Sequence, residues 1–493
     1  MTIHPFLKKY FKYLLLALLM YMPIFGFLST LPIRIWDEAR CAINAYEMMN
    51  NDHFIVTYFE GLPDMWNTKP PLLIWVQVVF MKIFGVNEVA VRLPSALAAF
   101  FTCISLLILS IRYLKQFWFG FIAIVILITS DGYISLHGTR TGDYDALLTL
   151  FTTLSALSLF VYFETNKTKH LYLFFLCTAM AVMTKGISGL LLMPALALYT
   201  IWQKQLLPLL RTKHFYIGLA SFLLFTIGYY YLRELKNPGY INAVFENEFG
   251  GRYLTALDDH KQGTWFYLTN IMERKFSYWY LLVPCGFVIG FIHKNSFIKK
   301  LSVLSGLSIL TYFIIVTLVK TKLEWYDMPM YPFLAILVAI FIYHIFEFLK
   351  NYKRNDSPLR FNFSHFIFLF LIISIPYQKI LNKTYHPKEE EKFVDFYEVG
   401  YFLKDAVKGR QDINGYYLLY DGYNAHNDFY LKVLQDKNTD TGFKDWWDLK
   451  KDDLVFTHQP ELKEYIDNHY DFEITREVEN IIFYKIKNRK PNN

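Results

Sequence analysis

Apolar stretches alternate with short polar connections along most of the chain. A helix needs roughly 20 mostly apolar residues to cross a bilayer. Eleven stretches meet or approach this length and predict membrane spans: 11–30, 90–111, 116–134, 146–163, 170–184, 187–203, 214–232, 276–293, 299–319, 327–349 and 361–379. A shorter apolar stretch, 71–84, follows Pro70 and predicts a helix that lies at the membrane interface or inside an outer loop.

Basic residues fall in alternate loops, and this distribution predicts how the chain is oriented. Lysine and arginine are enriched in the cytoplasmic loops of membrane proteins. With the amino terminus inside, every short loop on that side is basic, beginning with Arg112 and Lys115. Counting 71–84 as a span would move these charges outside, so the distribution favours about eleven spans. The outer side then holds 31–89, 135–145, 233–275, the short link near 185, the turn at 320–326 and the carboxyl-terminal tail.

Composition excludes several other classes of protein. Of the 493 residues, 54% are hydrophobic and only 19% are charged, which is more apolar surface than a soluble protein of this size can bury. The net charge of +7 is spread over loops rather than gathered in one patch, so we expect no nucleic-acid partner. The scattered cysteines have neither the spacing of a metal site nor that of a disulfide framework.

The tail at 385–493 differs in character from the predicted transmembrane domain at 1–384. It is polar, and the alternations at Tyr416–Tyr420 and Ile481–Ile486 predict β-strands. We therefore predict an all-α polytopic membrane protein with an interfacial helix and a small extracytoplasmic α/β domain at its carboxyl end.

The first outer loop places charged residues close to the membrane, where charge is costly and tends to be functional. Asp37 and Glu38 lie between Arg34 and Arg40, a pattern that suits a general base beside an anion-binding cation. The alternative is an interfacial anchor in which these charges pair with one another. Lys69 precedes two prolines in the same loop, and its ammonium group suits either a phosphate or the lipid headgroups.

Later outer segments add further candidates. Asp143 and Asp145 lie at the mouth of the fourth predicted span, and Asp145 is also well placed to cap the helix that begins near Ala146. A capping carboxylate can still face a site, so both interpretations stand. His260 follows two aspartates, although this spacing does not establish a metal site. Cations on the outer side suit a polyanionic ligand, and they include Lys185, Arg252, Lys320 and Lys322.

Taken in order, these motifs resemble one family, the polytopic (GT-C fold) glycosyltransferases that use polyprenyl-phosphate sugars. Within it the chain looks like the bacterial relatives of protein O-mannosyltransferases and especially the lipid A aminoarabinose transferases. The resemblance runs from about Ile33 to about Ala339. Its motifs are Asp37-Glu38-x-Arg40, Lys69-Pro70-Pro71, the aspartate before the fourth span, Met183-Thr184-Lys185-Gly186, Ala256-Leu257-Asp258-Asp259 and Lys320-x-Lys322-Leu323.

The resemblance implies a role for the matched positions. Asp37 would act as the general base or orient the acceptor, and cations from different loops would hold the lipid phosphate of the donor. The expected catalytic residues are Asp37, Glu38 and one or both of Asp143 and Asp145. The expected phosphate-binding residues are Arg40, Lys69, Lys185, Arg252, Lys320 and Lys322.

Two departures from the family pattern concern a metal. In aminoarabinose transferases a glutamate precedes the lysine of the second motif, where this chain has Thr68. The histidine that follows the paired aspartates is shifted to His260. Those family positions are associated with a bound metal, so the departures argue against a zinc site and leave His260 as the candidate ligand. They also argue against lipid A and aminoarabinose in particular.

We therefore predict an enzyme of the cytoplasmic (inner) membrane that transfers a hexosyl or pentosyl group. The donor would be a polyprenyl-phosphate sugar, and the acceptor would be a lipid, glycan or protein outside the cytoplasm. The resemblance implies inversion at the anomeric carbon. The alternative is a transporter or flippase of lipid-linked saccharides. Against it, the chain shows no duplicated halves, and its charges concentrate at one face of the membrane.

Overall fold

Long apolar helices dominate the structure, a computed structural model that describes residues 5–254, 262–352 and 363–491. Seven helices in these ranges are long and apolar enough to cross a membrane, and each coincides with a predicted span: Glu88–Leu114, Asp145–Thr165, Thr168–Leu190, Lys213–Lys236, Ser296–Leu318, Met328–Asn351 and Ser364–Thr384. The other predicted spans contain shorter apolar helices: Tyr10–Phe25, Phe117–Ile128, Met193–Trp202 and Leu282–Ile292. The predicted fold class is confirmed, whereas the number of eleven spans stays a prediction.

The helices and strands are numbered in chain order. The α-helices are α1 Pro5–Phe25, α2 Asp37–Asn51, α3 Leu72–Phe84, α4 Glu88–Leu109, α5 Phe117–Ile128, α6 Asp131–Ile134, α7 Asp145–Thr165, α8 Thr168–Lys185, α9 Met193–Trp202, α10 Leu206–Leu210, α11 Lys213–Lys236, α12 Tyr240–Val244, α13 Phe266–Asn270, α14 Leu282–Ile292, α15 Ser296–Leu318, α16 Tyr331–Asn351, α17 Ser364–Thr384, α18 Val394–Val407, α19 Ala425–Asp436 and α20 Pro460–His469. Short π-helical turns cover Ser110–Leu114, Phe245–Leu254 and Ile271–Lys275, and 3₁₀ turns cover Gly186–Leu190, Met328–Met330 and Glu391–Phe393. The strands are β1 Tyr58–Phe59, β2 Leu62–Pro63, β3 Tyr417–Leu418, β4 Gly442–Phe443, β5 Leu454–Thr457, β6 Tyr470–Val478 and β7 Ile481–Arg489.

Helix α5 lies inside the bundle. Its sequence is apolar on every side, and every residue from Phe119 to Ile128 is buried. A helix that is hydrophobic all round is stable where other elements surround it, and here α4 and α16 pack against it. Helix α11 instead exposes most of its apolar surface, as expected of a helix at the periphery that faces lipid.

The first outer loop folds into helix α2, the hairpin β1–β2 and helix α3. The helix α3 forms where the stretch 71–84 predicted one, and it packs against α2 and α4. On its other side it exposes Val79, Ile83 and Phe84. These apolar side chains suit a position at the membrane interface, which stays a prediction.

The carboxyl-terminal segment forms the small α/β unit that the strand alternations predicted. Its five strands are ordered β4-β3-β5-β7-β6, with β3 parallel to β4 and β5 and the remaining pairs antiparallel. The segment begins where α17 ends, at Thr384. Its helix α19 packs against α2, so the α/β unit is docked on the first outer loop.

A fully buried ion pair ties the first outer loop to the bundle. The guanidinium of Arg92, on α4, donates to both carboxylate oxygens of Glu38, over 2.7 and 2.8 Å. Its remaining N–H groups donate to the backbone carbonyls of Leu28, Leu31 and Pro32, which follow α1. The arginine therefore uses all three of its nitrogens to hold the chain at the end of α1.

Glu38 links two further segments to this pair. Its carboxylate accepts hydrogen bonds from the backbone N–H groups of Arg34 and Gly142, over 2.7 and 2.8 Å. Burial raises the pKa of Glu38, but Arg92 and the two backbone N–H donors together lower it by more, so the pKa lies below its ordinary value. With an exposed fraction of 0%, Glu38 reaches no cleft. In the structure Glu38 therefore serves as the ion-pair partner of Arg92, and its predicted catalytic role stays a prediction.

Replacing Arg92 with Met is expected to lower the free energy of unfolding by about 3–5 kcal/mol, because it leaves a buried carboxylate without a partner. The measurement is denaturant unfolding of the detergent-purified protein. Arg410→Met is the matched control, since the ion pair between Arg410 and Asp405 lies on the surface and its loss should change little. Equal losses in the two variants would contradict the structural role given to Arg92.

Candidate functional site

Charged residues from separate segments meet at one place, which we call the charged cleft. Its members are Asp37 at the start of α2, Lys69 before α3, His137 and Asp143 in the segment 135–144, Asp145 at the start of α7 and Lys185 at the end of α8. Asp37, Asp143 and Lys69 all lie close enough to the buried thiol of Cys41 to act on it electrostatically. The structure therefore brings together the predicted residues of four motifs.

Asp145 and Lys185 form the most buried ion pair of the charged cleft. The Nζ atom of Lys185 donates to both oxygens of Asp145, over 2.6 and 2.7 Å, and both side chains are almost fully buried. Helix α7 begins at Asp145, close to the predicted start, but this carboxylate makes no capping hydrogen bond. The prediction that Asp145 caps the helix is therefore wrong, and its carboxylate instead fixes the ammonium group of Lys185.

A narrow cavity extends from this ion pair between α7, α15 and the turn that follows α8. Its polar end carries Asp145 and Lys185, with the ring of Tyr326 centred 4.9 Å from the Lys185 Nζ atom. Its walls are largely apolar, with Leu148, Leu191, Tyr312, Val316 and Val319 among the lining residues. Buried Glu248 also lines it.

Arg40 is held by a carboxylate that the sequence motifs did not include. Its guanidinium donates two hydrogen bonds to Asp64, over 2.9 and 2.7 Å, and stacks over Phe59 at 3.9 Å from the ring centre. Burial raises the pKa of Asp64, but Arg40 and the hydrogen bonds from Asn67 and Asn44 together lower it by more, so this carboxyl is held below its ordinary pKa. The predicted phosphate-binding cation is thus already oriented by a buried acid.

Hydrogen bonds connect Asp64 to the charged cleft through two amides. Asn44 donates to Asp64 over 3.0 Å, and Asn67 donates to both Asn44 and the Tyr144 hydroxyl over 2.8 Å. Tyr144 lies between the two predicted aspartates, and the Lys69 Nζ atom is 5.4 Å from its ring centre. This network fixes the positions of Lys69 and of the aspartates relative to Arg40.

His137 is a member of the charged cleft that the sequence analysis missed. Its ring stacks on Trp325 with 3.9 Å between centres and an angle of 12°, and its Nδ1 atom lies 3.2 Å from Oδ2 of Asp143. Burial lowers the pKa of His137, but Asp143 and the charges of Asp37 and Glu38 together raise it by more, so the pKa lies above its ordinary value. Histidine can carry protons and bind metals. What marks His137 as a candidate is its position beside Asp37 and Asp143, which only the fold reveals.

Two further predicted cations, Lys320 and Lys322, follow α15. Lys322 donates a long hydrogen bond of 3.4 Å to the Gln262 carbonyl, and Lys320 is exposed. Burial and the charge of Lys320 together lower the pKa of Lys322. Arg252 belongs to the turn Phe245–Leu254, but its side chain lies outside the described part of the structure, as does the whole of His260.

The metal position implied by the family resemblance is not reproduced by the described residues. Thr68 is buried and contributes a hydroxyl where that position has a carboxylate. Its Oγ1 atom has no hydrogen-bond partner among the described residues. The residues present at this position therefore do not match a zinc site of the family kind.

A second cavity, of about 760 Å³, opens beside the charged cleft and is lined by residues from the end of α1, the segment 134–140 and the segment 382–397. His137 and Trp36 belong to its lining, as do Arg34 and Arg140. Arg34 is paired with Glu389 over 2.5 Å, whereas Arg140 donates only to backbone carbonyls within the described ranges. Burial and the nearby charge of Arg92 lower the pKa of Arg140 to about 10. Among the described residues, no carboxylate pairs with the Arg140 guanidinium.

Comparison with known proteins gives these residues a family context. The family described as dolichyl-phosphate-mannose-protein mannosyltransferase matches residues 68–231. The match begins next to Lys69 and includes Asp143, Asp145 and Lys185, while Asp37 precedes it.

Two relatives are similar over about two thirds of the chain. The undecaprenyl phosphate-alpha-4-amino-4-deoxy-L-arabinose arabinosyl transferase of Shewanella sediminis is 28% identical, over 72% of this chain and 63% of that protein. An uncharacterized protein of Aquifex aeolicus is 25% identical, over 68% of this chain and 64% of that protein. The chain therefore spans a little under two thirds of the length of these relatives.

The fold is similar to that of a solved structure. The crystal structure of ArnT from Cupriavidus metallidurans, bound to undecaprenyl phosphate, matches with a TM-score of 0.72 at 14% identity and covers 98% of both chains. Together the comparisons confirm the predicted resemblance to the polytopic glycosyltransferases that use polyprenyl-phosphate sugars. They do not favour the alternative of a transporter or flippase.

Asp145→Asn and Lys185→Met are each expected to lower the free energy of unfolding by about 3–5 kcal/mol, because each leaves one buried charge unpaired. The double variant should lose less than the sum of the two, with a coupling of about 1–3 kcal/mol measured by denaturant unfolding. The exposed pair of Glu347 and Lys350 serves as the control cycle and should show little coupling. Additive losses at Asp145 and Lys185 would contradict the buried pair.

Proposed function

We propose that the chain is an integral-membrane glycosyltransferase that moves one hexosyl or pentosyl group from a polyprenyl-phosphate donor to an extracytoplasmic acceptor. The observation that carries this proposal is the charged cleft, in which carboxylates and lysines from separate loops meet beside an apolar cavity. The activity named for the Shewanella sediminis relative supports the same class of reaction.

The phosphate of the donor would bind at the polar end of the narrow cavity, where Asp145 and Lys185 lie. Apolar walls suit the first units of a polyprenyl chain, and a buried ammonium group suits its phosphate. Undecaprenyl phosphate bound to the protein of similar fold supports this chemistry. The donor phosphate would be bound by Lys185, Lys69 and Arg40. Carboxylates already pair with two of these cations, Lys185 and Arg40. The other predicted cations, Lys320, Lys322 and Arg252, would add to the positive charge that the phosphate meets.

The acceptor would enter from the second cavity, which adjoins the charged cleft at His137. An acceptor that carries phosphate would meet Arg140, whose charge is offset there by backbone carbonyls alone among the described residues. A hydroxyl of the acceptor would be oriented by Asp37 and Asp143. The acceptor is thus a lipid, glycan or protein with an oxygen nucleophile, as the sequence predicts.

The reaction would be a direct displacement at the anomeric carbon of the donor sugar. A bond forms between an acceptor oxygen and this carbon, while the bond from the carbon to the phosphate oxygen breaks and its electron pair leaves with the polyprenyl phosphate. The proton of the acceptor hydroxyl passes to the carboxylate of Asp37 or to that of Asp143, both of which belong to the charged cleft. Attack opposite to the leaving group inverts the anomeric configuration. The cations stabilise the charge that develops on the leaving phosphate.

The proposed location is the cytoplasmic (inner) membrane, with the amino terminus inside and the charged cleft and α/β unit outside. In a Cys285→Ala background, Lys392→Cys should react with a membrane-impermeant maleimide in intact spheroplasts, and Lys204→Cys only after permeabilisation. This background suits the test, because Cys41, Cys103 and Cys177 are buried. The reverse labelling pattern would invert the proposed topology.

Transfer of radiolabelled sugar from a panel of polyprenyl-phosphate sugars to an envelope extract tests the activity. With the purified protein in detergent, Asp37→Asn is expected to slow transfer by about 100-fold or more, because the acceptor oxygen loses its base. Lys69→Ala should slow transfer to a similar extent, because the leaving phosphate loses a cation.

Lys392→Ala is the matched control for these variants. Lys392 is exposed and pairs with Glu390 on the surface, so its loss should leave transfer unchanged. Absence of transfer with every donor, together with flipping of lipid-linked sugar in proteoliposomes, would reject the transferase and support a transporter.

A further inference from the structure

Three potential metal ligands from three segments of the chain meet in the charged cleft. Asp37 begins α2, His137 follows α6, and Asp143 precedes α7. One ligand atom from each of them lies within 4.8 Å of the ligand atoms of the other two. Within the described ranges, this is the cluster of carboxylate and imidazole groups close enough to share one ion.

His137 and Asp143 have a spacing that suits two ligands of one ion. Their Nδ1 and Oδ2 atoms are 3.2 Å apart, a distance at which they form an ion pair when the imidazole is protonated. Ligand atoms that each lie about 2.1 Å from a shared cation are separated by about 3.0–3.5 Å. The pair therefore already has the separation that a shared cation requires.

Asp143 presents an oxygen that the described protein leaves unused. Only 2% of this residue is exposed, and its Oδ1 atom has no hydrogen-bond partner among the described residues. Its Oδ2 atom accepts a hydrogen bond of 2.6 Å from the Thr141 hydroxyl, which fixes the orientation of the carboxylate. A buried carboxylate oxygen without a donor is costly, and a cation would satisfy it.

The imidazole of His137 is also held in place. It stacks on Trp325 at an angle of 12°, and its backbone adopts a φ of 62°, in the left-handed region that a non-glycine residue occupies at some cost. The surrounding structure thus holds the ring in this orientation despite the cost of the left-handed backbone conformation. A ligand held in advance in this way needs little rearrangement to bind an ion.

We propose that Asp37, His137 and Asp143 bind a divalent transition-metal ion such as Mn²⁺ or Zn²⁺ in the charged cleft. Two carboxylates and one imidazole suit these ions, whereas Mg²⁺ and Ca²⁺ favour sites made of oxygen alone. The site uses neither Thr68 nor His260, the positions that the family resemblance associates with a metal. The binding of the ion is independent of the proposed function. A role of the ion in deprotonating or orienting the acceptor hydroxyl would rest on the proposed function.

The test measures Mn²⁺ binding to the full-length protein in detergent, after removal of bound metal with a chelator and without donor or acceptor. Loss of the electron paramagnetic resonance signal of free Mn²⁺ gives the occupancy, and we expect one ion per chain. Electron spin-echo modulation of the bound ion in the wild type should show a directly coordinated imidazole nitrogen. Calorimetry with Zn²⁺ should give the same stoichiometry.

Variants assign the ligands. His137→Ala should weaken Mn²⁺ binding by about 100-fold or more and abolish the nitrogen modulation. Asp143→Asn should weaken binding to a similar degree and keep any residual nitrogen signal. The matched control is His53→Ala, an exposed histidine of the first outer loop that should not change the affinity.

Three results would overturn the proposal: no binding of either ion, binding without a coordinated nitrogen, or binding that is lost in His260→Ala but kept in His137→Ala. Because the spectroscopic measurement uses the wild type, a variant that fails to fold still leaves the proposal open to rejection. The experiment contains no sugar donor. A failure to bind metal therefore leaves the transfer reaction standing, and a failure of transfer leaves the metal site standing.

Discussion

The buried ion pair between Glu38 and Arg92 determines where the functional residues lie. Asp37 precedes Glu38 in the chain, and Asp143 follows Gly142, whose N–H group donates to the same Glu38 carboxylate. Two acids that are distant in sequence are therefore neighbours because one glutamate binds both of their segments. Gly142 is required at this contact, since a Cβ atom there would lie 2.4 Å from the Val91 side chain and 2.8 Å from its carbonyl oxygen.

A second constraint is that carboxylates already neutralise two of the predicted phosphate-binding cations. Arg40 is paired with Asp64, and Lys185 is paired with Asp145, each largely removed from water. Unpaired charges at such positions would be costly, so the fold can retain these cations only with carboxylates beside them. Under the proposed function, a donor phosphate would meet Arg40 and Lys185 already oriented by these carboxylates, and such orientation is what electrostatic stabilisation of a leaving group needs.

Much of this arrangement can be predicted from the sequence, and the features that cannot be predicted have physical causes. Hydrophobic length predicted the spans, and the outer-loop motifs predicted Asp37, Lys69, Asp145 and Lys185. Asp37 and Glu38 could not be told apart, because both are acidic and adjacent. A helix turns by about 100° per residue, so one of the two enters the core while the other faces the cleft, and the sequence does not state which.

Long-range partners were equally out of reach of the sequence. Asp64 owes its position to Arg40, which is 24 residues away, and a lone carboxylate after a proline carries no signal of this pairing. His137 is a single histidine in a short loop, and its relevance depends on Trp325 and Asp143, which come from elsewhere in the chain. Both residues become functional candidates only through tertiary contacts.

The α/β unit supports the cleft from the other side of Asp37. Glu389 pairs with Arg34, the Tyr430 hydroxyl accepts a hydrogen bond from the Ile33 backbone, and the Tyr423 ring stacks on Trp36 at 4.5 Å. Trp36 adopts a left-handed φ of 67°, a conformation that a tryptophan keeps only when its surroundings hold it. The residues immediately before Asp37 are thus fixed by the α/β unit, and the residue immediately after it is fixed by Arg92. Asp37 lies between these two anchors, so the carboxyl-terminal segment contributes to the geometry of the cleft.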